Sequence, residues 1–198
     1  MSLPKAELHV HLEGTATPAL VRRLAGRHGT RVPPGTIEDD RVAWRDFLDY
    51  LATYDRVASV IRTAEDYRDV TRAYLAACAA EEAVYVELTA SPDHAAAAGL
   101  PYRDMVAGIA EGIDAAREAT GVESRIQLTA VRNLGPERAE AIAATAAAAP
   151  HPYVTGFGLA GDEAGFPPGP FACAIRNARA NGPGGKPASS PARPKPVT

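Results

Sequence analysis

VYVELTASPDHAAAAGLPYRDMVAGIAEGIDAAREATGVESRIQLTAV, residues 84–131, reads as a strand, a helix and a second strand. Val84 to Thr89 (VYVELT) is rich in β-formers and runs into Ser91-Pro92-Asp93, read as a loop. Pro101 opens a helix whose Tyr102, Met105, Val106, Ile109, Ile113 and Ala116 form an apolar stripe, and Gly121 closes it. Arg125 to Val131 (RIQLTAV) is again a strand. Strand, helix and strand in this order make the repeating unit of a parallel sheet covered by helices.

The same alternation extends in both directions. Upstream, Ala6 to His11 (AELHVH) reads as a strand that turns at Gly14. Thr17-Pro18 then gives an N-cap and a proline at the first helical position, for a helix that presents Leu20, Val21 and Leu24 and ends at Gly29. Residues 29–40 read as a loop. Trp44, Phe47, Leu48, Leu51, Tyr54, Ala58 and Ile61 recur at helical spacing and predict a helix over 44–61. A further helix carries Tyr67, Val70, Tyr74 and Cys78 inward. Downstream, Pro136 starts an alanine-rich helix to about Ala148, Tyr153 to Leu159 is a fourth strand, and Phe171 to Ala180 a fourth covering helix. The fold class is therefore α/β, of the (β/α)8 TIM-barrel type. A whole barrel takes about 250 residues; this chain is expected to be truncated after about four β/α units. Residues 1–180 form that unit, and residues 181–198, rich in Pro and Gly, are expected to be a disordered tail.

The chain has 198 residues, 46% hydrophobic and 23% charged, the balance of a globular protein. With a net charge of −3 and no basic cluster in the body of the chain, no nucleic-acid or membrane partner is expected. The opening MSLPKAELHVHLEG lacks the pattern of a secretory signal, and Cys78 and Cys173 are too few for a disulfide framework. Both features fit a reducing, cytoplasmic setting.

His9-Val10-His11 is the sharpest chemical feature. Residues two apart on a strand point to one side, so both imidazoles face one space. On the first strand of a parallel barrel they lie near the carboxyl end, where barrel enzymes build their sites, and two neutral imidazoles there can hold Zn²⁺. The same spacing also suits two strand histidines with no ion. Glu13 could accept a hydrogen bond from a substrate or orient a ligand, or be a solvated loop charge. No third histidine stands out as a ligand: His28 ends a helix, His151 lies at the opposite end of the barrel, and His94 sits in a loop without a fixed aim. Gly156 to Gly161 matches the dinucleotide pattern G-x-G-x-x-G, but DEAGFPPGP cannot start the required helix and no carboxylate lies about 20 residues on. Gly161 is better read as a point where backbone comes close to a flat ligand.

Several segments together resemble the adenosine deaminase family: LPKAELHVHLEGT at the start, the helical FLDYLATYDRV, VYVELTASP, and GLAGDE from Gly158 to Glu163. The resemblance covers about residues 1–180, in register throughout. It implies zinc-dependent hydrolytic deamination of adenosine to inosine and ammonia, with adenine or another aminopurine as the alternative substrate. It also implies that His9 and His11 bind one zinc ion, that His11 and Glu13 lie against a purine nucleoside, and that Gly161 gives its N–H to a ring nitrogen. The family's proton-donating glutamate belongs to a His-Ala-Gly-Glu motif, and no such motif follows Ala180. The expectation is thus an amino-terminal portion with no catalytic residue of its own, an incomplete ligand set and no useful turnover alone. An alternative of another class is a non-catalytic half-barrel interaction module, and self-association through an exposed half-barrel edge is expected in either case.

Overall fold

The computed structural model describes residues 3–181, so the expected tail lies outside the described residues apart from Asn181, the last residue of the final helix. Four parallel strands form the sheet: β1 (Lys5–His11), β4 (Ala83–Ala90), β5 (Glu123–Val131) and β6 (Val154–Ala160), in that spatial order. The intervening β2 (Ile37–Glu38) and β3 (Arg41–Val42) form a separate hairpin. Its turn is made by Asp39 and Asp40, both at positive φ, within the stretch expected to be loop. The helices are α1 (Pro18–Arg27), α2 (Phe47–Ala58), α3 (Ala64–Ala80), α4 (Pro92–Ala97), α5 (Tyr102–Thr120), α6 (Pro136–Ala148) and α7 (Ala172–Asn181). With α3, α5, α6 and α7 against its outer face, the sheet is the arc of a (β/α)8 barrel. Among the described residues no helix is long and apolar enough to cross a membrane.

Val86, Leu88, Ile126 and Leu128 point outward and meet Tyr67, Val70, Leu75, Met105, Ile109 and Ile113 of the covering helices in the main core. Helices α3 and α5 cross at very close range. A methyl at Gly112 would stand 2.6 Å from the Thr71 Cβ, and one at Gly108 would overlap the backbone carbonyl of Ala64. The inner face of the sheet is polar, with Glu87 accepting from the Tyr85 hydroxyl at 3.0 Å and from the Gln127 amide.

Strand β1 departs from simple alternation. Glu7 pairs with Val86 and Val10 with Leu88, so Leu8 and His9 together oppose the single residue Glu87. This bulge keeps both histidines on the inner face while turning Glu7 outward, where the hydroxyl of Tyr74 on α3 donates to it at 2.5 Å.

Two expected elements differ. The helix predicted over 44–61 runs only over Phe47–Ala58, because the Asp46 carboxylate accepts the Asp49 N–H at 2.9 Å and so caps the helix there. Trp44 stays outside it and, like Phe47 and Leu48, is exposed; of the apolar set, Phe47, Leu51, Tyr54 and Ala58 line a cavity, while Ile61 lies past the helix in the core. Ser91-Pro92-Asp93 is not a loop but the start of α4: the Ser91 hydroxyl caps Asp93, and Pro92 occupies the first turn.

Candidate active site

The carboxyl ends of all four sheet strands open into one cavity of about 580 Å³. Each strand contributes to its wall at or just past its end: His11 ends β1, Ser91 follows β4, Val131 ends β5 with Asn133 beyond it, and Ala160 ends β6 with Gly161 beyond it. Helix α2 closes one side with Phe47, Tyr50, Leu51 and Tyr54, and α4 adds Asp93 and His94. The wall is mainly aromatic and aliphatic, with few polar groups left for a ligand.

His9 Nε2 and His11 Nε2 stand 3.3 Å apart. Two nitrogens at zinc-bond length, about 2.0–2.1 Å, on a tetrahedral ion lie about 3.3–3.4 Å from each other, so the pair is spaced as two ligands of one ion would be. Burial pulls the His11 imidazole below its ordinary pKa, helped by His9 and His94 and opposed by Glu13. It is therefore neutral at physiological pH, the form that offers a lone pair. Among the described residues no group of three or more His, Cys, Asp or Glu side chains could hold a metal. His9 and His11 by themselves are spaced to supply two nitrogens to such an ion.

Glu13 lies beneath the cavity and not on its wall. It sits on the single helical turn Leu12–Thr15, is fully buried, and its carboxylate takes three protein donors. These are the Tyr54 hydroxyl at 2.6 Å, the Ser91 N–H at 3.0 Å and the Tyr67 hydroxyl at 3.4 Å. Burial, with Glu13 adding to it, drives both phenols well above the ordinary tyrosine range, so both remain donors. One carboxylate thus joins the end of β1 to α2, α3 and the end of β4, which fixes the walls that flank His11.

His94, expected to have no fixed aim, is held by its place on α4. Its Nε2 lies 2.9 Å from Asp55 Oδ1 on α2, and its ring is 5.3 Å from that of Tyr54. Burial lowers its pKa, but the Asp55 hydrogen bond and the charges of Glu13, Asp55 and Asp93 outweigh this and raise it. Its neighbour Asp93 is buried and accepts from the Val131 N–H at 2.9 Å and Arg138 Nε at 2.5 Å, tying α4 to β5 and α6. The Ser-Pro-Asp sequence is itself a helix-start signal, and it could have placed both residues on α4. His28 caps α1 and meets Asp66 at 2.6 Å, and His151 precedes β6 at the far end of the sheet. Neither lines the cavity.

Gly161 lines the cavity at φ +103°, a backbone state that other residues rarely adopt. Gly156 and Gly158 lie within β6, and the next long helix begins only at Ala172, so the dinucleotide pattern has no helix at its third glycine.

The family sequence model described as "Adenosine deaminase" matches residues 4–183. The chain is 47% identical over 180 residues to the adenine deaminase of Chelativorans sp. (strain BNC1), covering 91% of this chain and 55% of that protein. The crystal structure of adenine deaminase from Arthrobacter aurescens superposes with a TM-score of 0.83 at 29% identity, over 92% of this chain and 56% of that one. An amidohydrolase from Burkholderia ambifaria, solved with bound Zn, gives 0.80 at 28% identity, over 91% and 50%. The chain spans about half the length of the curated relatives it matches.

Proposed function

This chain belongs to the adenosine deaminase family, and from that premise we propose that its site serves the metal-assisted hydrolytic deamination of free adenine. Carrying this reading is the imidazole pair, two Nε2 atoms 3.3 Å apart at the carboxyl end of β1, beside an aromatic-walled cavity. His9 and His11 would hold the ion as two of the three protein ligands usual for catalytic zinc. When bound, such an ion supplies Lewis-acid activation of water toward an electron-poor ring carbon.

The chain's own residues supply binding and orientation. Glu13 fixes Tyr54 and the start of α4 around His11. The aromatic side chains of α2 offer a face for a flat heterocycle, and Gly161 lets backbone reach its edge with an N–H donor. Asp93 has its oxygens tied to protein donors and Asp55 is paired with His94, which suits an uncharged ligand.

Adenosine, the substrate implied by the sequence motifs, gives way to adenine because relatives at 42–47% identity carry the name adenine deaminase. The test pairs zinc content with calorimetric binding of adenine and adenosine, and with ammonia release from each. We expect His11→Ala to lower bound zinc and adenine to bind more tightly than adenosine. Equal or tighter adenosine binding would overturn the free-base reading, and unchanged zinc in His11→Ala would overturn the metal assignment.

A further inference from the structure

The loop after β6 does not stand by itself. Two consecutive residues in the short helical turn just past β5, Arg132 and Asn133, reach across to it. Asn133 Oδ1 accepts the Asp162 N–H at 3.1 Å, and it occupies the space a side chain at Gly161 would need, since a Cβ there would lie 2.5 Å from it. Arg132, only 5% exposed, donates to the Phe166 carbonyl at 3.3 Å and pairs with Glu163 at 3.3 Å. The loop's internal bond, from the Gly165 N–H to Asp162 Oδ1 at 2.9 Å, completes the set. A segment of Gly, Pro and acidic residues is thereby held at three points by the turn that follows β5.

We propose that Asn133 is a positioning residue for the purine site: by holding the 161–162 peptide it aims the backbone of Gly161 into the cavity. The proposal rests on the purine reading of that site. Three observations support it. Asn133 lines the same cavity as Gly161. Its oxygen is committed to the loop, and no protein group among the described residues takes a hydrogen bond from its amide nitrogen. The positive φ of Gly161 and the missing Cβ are both conditions for Asn133 to come so close. Arg132 anchors the outer part of the loop, while Asn133 sets the part that faces a ligand.

The experiment uses the full chain and two variants, Asn133→Ala and Asn133→Asp, the second keeping an oxygen acceptor of the same shape. Hydrogen exchange at the Asp162 amide, measured without ligand, reports the clamp; calorimetric titration with adenine reports the site. We expect Asn133→Ala to speed exchange at Asp162 about five-fold, the net worth of one hydrogen bond, and to weaken adenine binding about ten-fold or more. Asn133→Asp should restore both toward the parent values. Since Asn133 is exposed, both variants should keep the parent melting temperature within a few degrees. Exchange unchanged in Asn133→Ala, or faster exchange with adenine binding intact, overturns the proposal. A parent chain that binds no adenine overturns the purine reading, while the exchange measurement still decides whether Asn133 holds the loop.

Discussion

Glu13 is the residue on which most of the site's order depends, and it touches no ligand space itself. A carboxylate removed from water is tolerated only when its oxygens are hydrogen-bonded, and here two phenols and one backbone N–H do that. Replacing it with glutamine keeps the shape but turns an amide N–H₂ toward groups that are themselves donors. Glu13→Gln is therefore expected to lose about 2–3 kcal/mol in urea unfolding, whereas Tyr54→Phe, which removes one of three donors, should lose about 1–2 kcal/mol. A smaller loss in Glu13→Gln than in Tyr54→Phe would mean that the carboxylate is not the hub. From sequence, a lone Glu two residues past His11 gives no sign of this role. Its partners are 41, 54 and 78 residues away, and only the folded chain brings them together.

Secondary elements were legible wherever one local signal dominated. The cap and proline at Thr17-Pro18, the stripe of α5 and the β-rich runs at 84–89 and 125–131 all became the elements they predict. Boundaries were less legible where two local signals compete. At α2 the apolar spacing from Trp44 suggested an early start, but a side-chain cap at Asp46 decides where the helix begins. At α4, Ser91-Pro92-Asp93 reads as a loop by its composition, but the Ser91 side chain caps a helix there. Glycine in the middle of α5 shows the same limit. By propensity alone Gly108 and Gly112 weaken a helix, yet they are what lets α3 and α5 approach. Gly112→Ala is accordingly expected to destabilise the chain by about 1–3 kcal/mol through overpacking. Gly26→Ala in α1, where a methyl meets nothing within 4 Å, should stabilise it by about 0.5–1 kcal/mol. Thermal melts of the two variants side by side check the opposite signs.

The whole molecule presents a sheet whose two outer strands, among the described residues, are β1 and β6. Leu8 on β1 and Leu134 at the cavity mouth are more than half exposed, and unpaired strand edges are templates for further pairing. Sedimentation should accordingly reveal concentration-dependent self-association, and Thr155→Lys, placing a charge on the exposed side of β6, should shift the chain toward monomer. Self-association untouched by that change would locate the contact elsewhere. The barrel-type arc was readable in advance because four β/α units repeat in order. The cavity was only half readable, since His11 and Gly161 are marked by motifs while Asn133, Asp93 and His94 gain their roles from contacts between distant segments. One practical consequence concerns the bulge in β1. Anyone transplanting the two-histidine strand into another scaffold must carry the extra residue with it. A donor segment cut to strict alternation would shift the phase on one side of the cut, either swinging the imidazoles toward the helices or pulling Glu7 away from Tyr74. The portable part is the interrupted strand, not the three-letter motif.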